Sequence, residues 1–199
     1  MVTPTKGDYQ SVPMTLAAVK LADAWDPKKD QAAGLQCKSY GAPTILHTAT
    51  RIRVSWQDDR TLKMETDYGQ QTRLFHFEDA QATPAAQRGP RSWQGYSTAV
   101  WESNGRRGAG GAPVGAGLVV LTSNLKAGYL RKNGVPYSEN AKVTEYLDVA
   151  PIPSGGQMLI ATVAVDDPQF LDRQFVVASQ FKKETDTSKW DPTPCSSEW

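Results

Sequence analysis

The 199-residue chain has little of what metal and redox sites are built from: two cysteines, Cys37 and Cys195, and two histidines, His47 and His76. No HxH, HExxH or CxxC spacing occurs. A zinc or copper site would therefore need both histidines and a carboxylate to converge from separate strands. There is no basic block, and the net charge is +1, which argues against strong binding to nucleic acid or to an anionic membrane. No apolar run approaches a membrane span. The Gly-rich stretch NGRRGAGGAPVGAG, residues 104–117, lacks the GK[ST] ending of a phosphate loop, and its arginines suit a solvated hairpin tip. No G-x-S-x-G nucleophile motif and no strand–glycine–helix dinucleotide fingerprint is found. No metal and no cofactor is expected.

Hydrophobic residues make up 39% and charged residues 22% of the chain, enough apolar material for one packed domain. The dominant pattern has period two. Ile52, Val54 and Trp56 alternate with Arg51, Arg53 and Ser55. Leu62, Met64 and Thr66 alternate with Lys63, Glu65 and Asp67, and residues 70–77 return after Tyr68-Gly69. A two-residue turn there pairs Leu62 with Phe75 and Met64 with Arg73, turning Arg73, Phe75 and Phe77 inward. A three-residue turn would bring Leu74 and His76 inward instead. Further strands are expected over 92–103, 118–123, 157–165 and 174–182. The stretch 127–150 reads as a hairpin with arms AGYLRKN and AKVTEYLDV. A Pro/Ala-rich loop covers 78–91.

One helix is expected over 13–25, where Ala17, Leu21 and Trp25 recur at helical spacing after Pro13 and before Asp26-Pro27. It would serve as a lid or plug, and 28–43 would follow as a polar connection. The expected class is all-β: an up-and-down antiparallel barrel of about eight to ten strands with one N-terminal helix. A two-sheet sandwich is the alternative. The chain divides into an N-terminal arm and helix (1–36), the barrel (37–183) and a tail (184–199). In the cytosol two such distant cysteines would be unrelated thiols; outside it they would pair. Both sit beside Gly or Pro in turn-like contexts, which favours a bridge tying the tail to the start of the barrel. Such a bridge stabilises by roughly 4–5 kcal/mol in the chain-entropy view. MVTPTKGDYQ is polar, so export would require a leader already removed.

Two charges stand in apolar rows. Glu145 shares a strand face with Val143, Leu147 and Val149, and Arg73 with Phe75 and Phe77. A lone buried carboxylate costs several kcal/mol, so it must be paired, neutral or in a wet cavity. One reading is a structural Arg73–Glu145 pair. The other makes Glu145 a general acid or base, with Arg73, Arg131 or Tyr129 stabilising developing negative charge. Trp56, Phe75, Phe77, Trp93 and Trp101, with Met64 and His76, are candidates to line an apolar pocket, or else to fill the core. Arg131 and Tyr146, on the hairpin's other face, would be ligand contacts if that face is interior and solvated surface if it is not.

The segments ADAWDPKKDQAAGLQCKSYGAP, RIRVSWQDDRTLKMETDYGQQTRLFHF, SWQGYS, AGYLRKNGVPYSENAKVTEYLD and KWDPTPC resemble an uncharacterised family of exported bacterial proteins. The resemblance implies a periplasmic or secreted location and makes the Gly-rich insert look like a variable loop. It carries over no catalytic residue. The strand pattern is similar to lipocalin-like (calycin) architecture. The expected function is a secreted barrel that binds a small apolar or aromatic molecule in its interior. The alternatives are a cofactor-free acid–base enzyme (isomerase, cyclase or lyase) using the same cavity, and an envelope interaction module with a filled barrel.

Overall fold

Wherever the sequence alternates, the chain is extended. A computed structural model describes residues 4–77, 88–103, 116–153 and 155–197. The strands are β1 (Ile52–Asp58), β2 (Thr61–Thr66), β3 (Thr72–His76), β4 (Tyr96–Ser103), β5 (Ala116–Ser123), β6 (Gly128–Tyr129), β7 (Pro136–Tyr137), β8 (Lys142–Pro151), β9 (Gln157–Asp166) and β10 (Phe175–Lys182). Eight of them form one sheet, ordered β1-β2-β3-β4-β5-β8-β9-β10 and curled into a half-barrel; β6 and β7 pair separately. The expected all-β, barrel-like class is what the chain adopts. Most of the Pro/Ala-rich loop and of the Gly-rich stretch lies outside the described residues.

The register expected at Tyr68-Gly69 is present. Leu62 pairs with Phe75 and Met64 with Arg73, and the Thr66 N–H donates to the Gln71 carbonyl at 2.9 Å. Gly69 takes φ 75°, and a Cβ there would run into the Tyr40 ring, so glycine is required for both reasons. Following the pairs around the sheet gives one continuous inner face. Leu62–Phe75–Ser97, Ala99–Val120–Glu145–Val163–Val177 and Leu118–Leu147–Ala161 are successive rungs. This face carries most of the core, including Met64, Phe75, Val120, Val143, Ala161 and Val163.

Two connections differ from a simple meander. β3 and β4 run parallel, pairing Phe75 with Ser97 and His76 with Thr98. Between them the chain returns to the opposite end of the sheet, where Ser92 bridges Leu125 and the Ala42 N–H donates to the Trp93 carbonyl. β4 accordingly starts at Tyr96, and Trp93 lies in the turn before it. The expected 127–150 hairpin is also redrawn. Tyr129 pairs with Pro136 within the short β6–β7 hairpin, and β8 pairs with β5 and β9. The physical reason is burial: Leu130 and Val135 are both fully buried, so the hairpin folds its tip inward rather than extending along the sheet.

The N-terminal region holds more helix than its pattern predicts. α1 (Leu16–Ala24) begins after Thr15, whose hydroxyl accepts the Ala18 N–H, because Met14 is used as a β-bridge to Leu171. Its buried side is Ala18 and Ala22, and Leu21 is half exposed. Asp26-Pro27, read as a stop, is also a start. Asp26 caps α2 (Pro27–Ala32) by accepting the Lys28 N–H, with Pro27 in the first turn. A 3₁₀ turn over Gln36–Tyr40 and the short α3 (Ala42–Ile45) follow. Tyr40, Ile45, Leu46, Leu125, Leu130 and Tyr137 join the core that closes one end of the half-barrel. No helix among the described residues is long and apolar enough to cross a membrane.

Candidate functional site

Arg73 and Glu145 meet on the inner face. Arg73 Nη1 and Nη2 donate to the two Glu145 carboxylate oxygens at 2.6 and 2.5 Å. Nη2 also donates to Thr122 Oγ1 at 3.1 Å, and Thr122 bonds Ser97 Oγ at 2.8 Å. Glu145 is wholly buried and Arg73 nearly so. The bidentate fork satisfies both carboxylate oxygens at once, which a buried pair needs to offset desolvation. The guanidinium lies 4.9 Å from the Phe75 ring centroid. Neither Arg73 nor Glu145 lines either of the two cavities described below. Tyr129, the third candidate for acid–base chemistry, stands elsewhere. It donates to Asp30 Oδ2 at 2.7 Å beside Trp25, and burial foremost, then that bond, pushes its phenol up.

Above the ion pair the half-barrel is open. The cavity there has a volume of about 720 Å³, within the range of roughly 300–1,000 Å³ that small-molecule sites occupy. Its floor includes Met64, paired with Arg73, and Phe75, Leu118 and Leu147, each one rung along the inner face from Arg73 or Glu145. Phe75 thus separates Arg73 from the cavity. The cavity occupies the seam between β1 and β10, which do not pair in the sheet. Ile52 and Val54 line it from one edge and Gln180 and Phe181 from the other.

The C-terminal segment straps this seam. The Lys183 N–H donates to the Gln157 carbonyl, and Glu184, Asp186 and Trp190 then form the outer wall. The Arg53 guanidinium lies 3.9 Å from the Trp190 ring centroid. Beyond Trp190 the strap is anchored. The Thr193 N–H donates to the Asp67 carbonyl, the Gly69 N–H donates to the Thr193 carbonyl, and the Cys37–Cys195 disulfide follows with Cα atoms 5.1 Å apart. Asp67 is the hub of this anchor. Its Oδ1 accepts the Arg51 N–H at 2.7 Å and the Tyr68 N–H at 2.7 Å; its Oδ2 accepts Arg51 Nη1 at 3.0 Å and the Asp191 N–H at 3.4 Å. Burial alone would raise the Asp67 carboxyl, but these donors outweigh it and hold it below the ordinary value.

The mouth is electrically lopsided although the protein is nearly neutral. Among the described residues five cationic side chains line it, Arg51, Arg53, Lys182, Lys183 and Lys189, against Glu184 and Asp186. Arg51 is spoken for by Asp67, and Lys189 by Glu184 at 2.8 Å.

Of the residues expected to touch a ligand, Met64, Phe75 and Trp101 line this cavity and Arg131 lines a second one. Trp56 and Phe77 lie beside the first without lining it: Phe77 stacks on Trp101 with centroids 5.7 Å apart, and Trp56 tilts against Phe77 at 5.3 Å. His76 points to the outer face, stacked on Tyr96 at 4.8 Å. Tyr146 is also on the outer face, 45% exposed. His76 follows from the two-residue-turn register, and Tyr146 from its place next to inward Glu145 on β8, since neighbouring positions point to opposite sides. Among the described residues no group of three or more His, Cys, Asp or Glu side chains is placed to hold a metal ion.

The second cavity, about 390 Å³, is lined by Thr44, His47, Tyr68, Arg131, Lys132 and Phe175, among others. His47, Tyr68 and Lys132 were not singled out by sequence as a group. Lys132 falls in the arm AGYLRKN, where its own sequence does not mark it as buried; the one hint is the apolar pair Leu130 and Val135 bracketing it. No protein-family model, no curated protein and no solved structure matches this chain.

Proposed function

We propose that this protein is an exported barrel-type binding protein that takes a small apolar or aromatic molecule into the seam cavity. The observation that carries the reading is the cavity itself: about 720 Å³, with Met64, Phe75, Leu118 and Leu147 among its walls, in the seam between β1 and β10. The surplus of positive charge at its mouth further favours a ligand with an acidic group at its outer end, beside Arg53, Lys182 and Lys183. The resemblance to exported, lipocalin-like proteins and the Cys37–Cys195 bridge support a periplasmic or secreted setting.

The test is a titration with 1-anilinonaphthalene-8-sulfonate, an aromatic anion, read by its own emission and by quenching of Trp101 and Trp190. Saturable one-site binding is expected. Leu159→Trp, which fills the cavity from a partly exposed wall position, should weaken it about tenfold or more, equivalent to ~1.4 kcal/mol, while leaving the fold intact. Arg53→Glu should weaken the anionic probe more than neutral 1-anilinonaphthalene. Binding that ignores Leu159→Trp, or no saturable binding of any apolar or aromatic probe, would sink the proposal.

A further inference from the structure

The second cavity holds chemistry that the seam cavity lacks. The β6–β7 hairpin delivers it by burying its own tip. The Leu130 N–H donates to the Val135 carbonyl at 2.7 Å, Gly134 turns the chain at φ 87°, and Asn133 Nδ2 donates to the Thr5 and Asp8 carbonyls. Lys132 is thereby carried inside, only 7% exposed. Its Nζ contacts Tyr68 Oη, donates to Tyr40 Oη at 3.2 Å, and lies 4.0 and 4.5 Å from the two ring centroids. Burial brings its pKa down to about 7, so a large share of the side chain is neutral amine at neutral pH.

His47 faces the same cavity. Its Nε2 is 2.9 Å from the Leu130 carbonyl. A carbonyl only accepts, so Nε2 carries the hydrogen and Nδ1 the lone pair. That Nδ1 is buried and has no hydrogen-bond partner among the described residues. Burial holds the ring's pKa below its usual value, keeping it a neutral base. Arg131, next in the chain to Lys132, lines the cavity too. It donates from Nη1 to the Gln10 carbonyl and from Nη2 to Ser11 Oγ, which leaves further N–H donors of its five.

We propose that this second cavity is a carbonyl site, in which the Lys132 amine forms an imine with a small 2-oxo acid or acid-bearing aldehyde whose carboxylate Arg131 holds. The Nζ lone pair attacks the carbonyl carbon, and the carbonyl π pair moves to oxygen. Nζ loses a proton and the oxygen gains one, giving a carbinolamine. Nζ then gives up its second proton to that oxygen, the C–O bond breaks to release water, and C=N forms. Nothing is oxidised or reduced. Tyr68 Oη, in contact with Nζ, is placed to pass each proton from nitrogen to oxygen, and His47 adds a neutral base to the cavity lining.

The experiment treats the folded protein with glyoxylate and sodium cyanoborohydride at neutral pH, then maps the reduced adducts by peptide mass spectrometry. Lys132 should be modified at least about tenfold faster than exposed Lys20 and Lys142, because a lysine of ordinary pKa is almost wholly protonated there. Urea unfolding should erase the preference, and Lys132→Arg should remove that adduct alone. The comparison within the wild-type chain needs no variant, so a misfolded Lys132→Arg does not blunt it. Labelling of Lys132 no faster than of the exposed lysines overturns the site. In Arg131→Gln the preference for glyoxylate over acetaldehyde should drop about tenfold; an equal effect on both probes overturns the carboxylate assignment.

Discussion

At the scale of single residues, two buried cations behave in opposite ways. Arg73 is matched by Glu145 through two short hydrogen bonds and by Thr122 through a third. Removing one partner leaves the other charged and dry. Glu145→Gln should therefore cost about 3–5 kcal/mol in urea denaturation, whereas Arg73→Met with Glu145→Leu should recover most of that loss. The double substitution should leave binding in the seam cavity largely intact, since Phe75 stands between the pair and that space. Lys132 meets the phenols of Tyr40 and Tyr68, and its pKa is lowered by burial to about 7 from 10.5. Between those values the unfolded chain binds a proton that the folded chain does not, so stability rises with pH. The window closes near pH 10, where the raised phenols of Tyr40, Tyr129 and Tyr137 begin to act with the opposite sign. Lys132→Met should flatten the rise, as measured by denaturant midpoints across that range.

At the scale of elements, the strap and its anchor matter most. Reducing Cys37–Cys195 should lower stability by about 2–5 kcal/mol, and it should raise the dissociation rate of a seam ligand more than it slows association, because Glu184–Trp190 forms the cavity's outer wall. Stopped-flow release of the anilinonaphthalene probe with and without reductant checks this. The Asp67 carboxyl, held low by its donors, stabilises the folded chain above the ordinary carboxylate value and ceases to as pH falls below about 4. Asp67→Asn should remove that part of the acid sensitivity and free the strap at every pH. Such elements show where sequence is readable. The β1–β2–β3 register could be read because alternation and one glycine act within 25 or so residues. α2 was missed because Asp26-Pro27 serves as both a stop and a cap. The buried hairpin tip was missed because Lys132 is held by Tyr40 and Tyr68, partners 92 and 64 residues away, and no local pattern announces them.

At the scale of the whole molecule, the inner face was legible and its incompleteness was not. Alternation marked the inward residues of β1, β2, β3 and β8 but could not say that β1 and β10 stay apart, since that depends on the curl of all eight strands. An open seam leaves two sheet edges, which the strap helps to shield. A seam ligand should act as a further clamp: at a concentration a hundred times its dissociation constant it should stabilise the chain by roughly 2.7 kcal/mol, visible as a raised melting temperature. The disulfide also sets a clock. Cys37 and Cys195 are 158 residues apart, and chains grow at roughly 5–20 residues per second, so Cys37 waits roughly 10–30 s for its partner to be made. During that interval it is an unclaimed thiol, and a chain cut short before Cys195 would keep it so, ready to cross-link to another molecule.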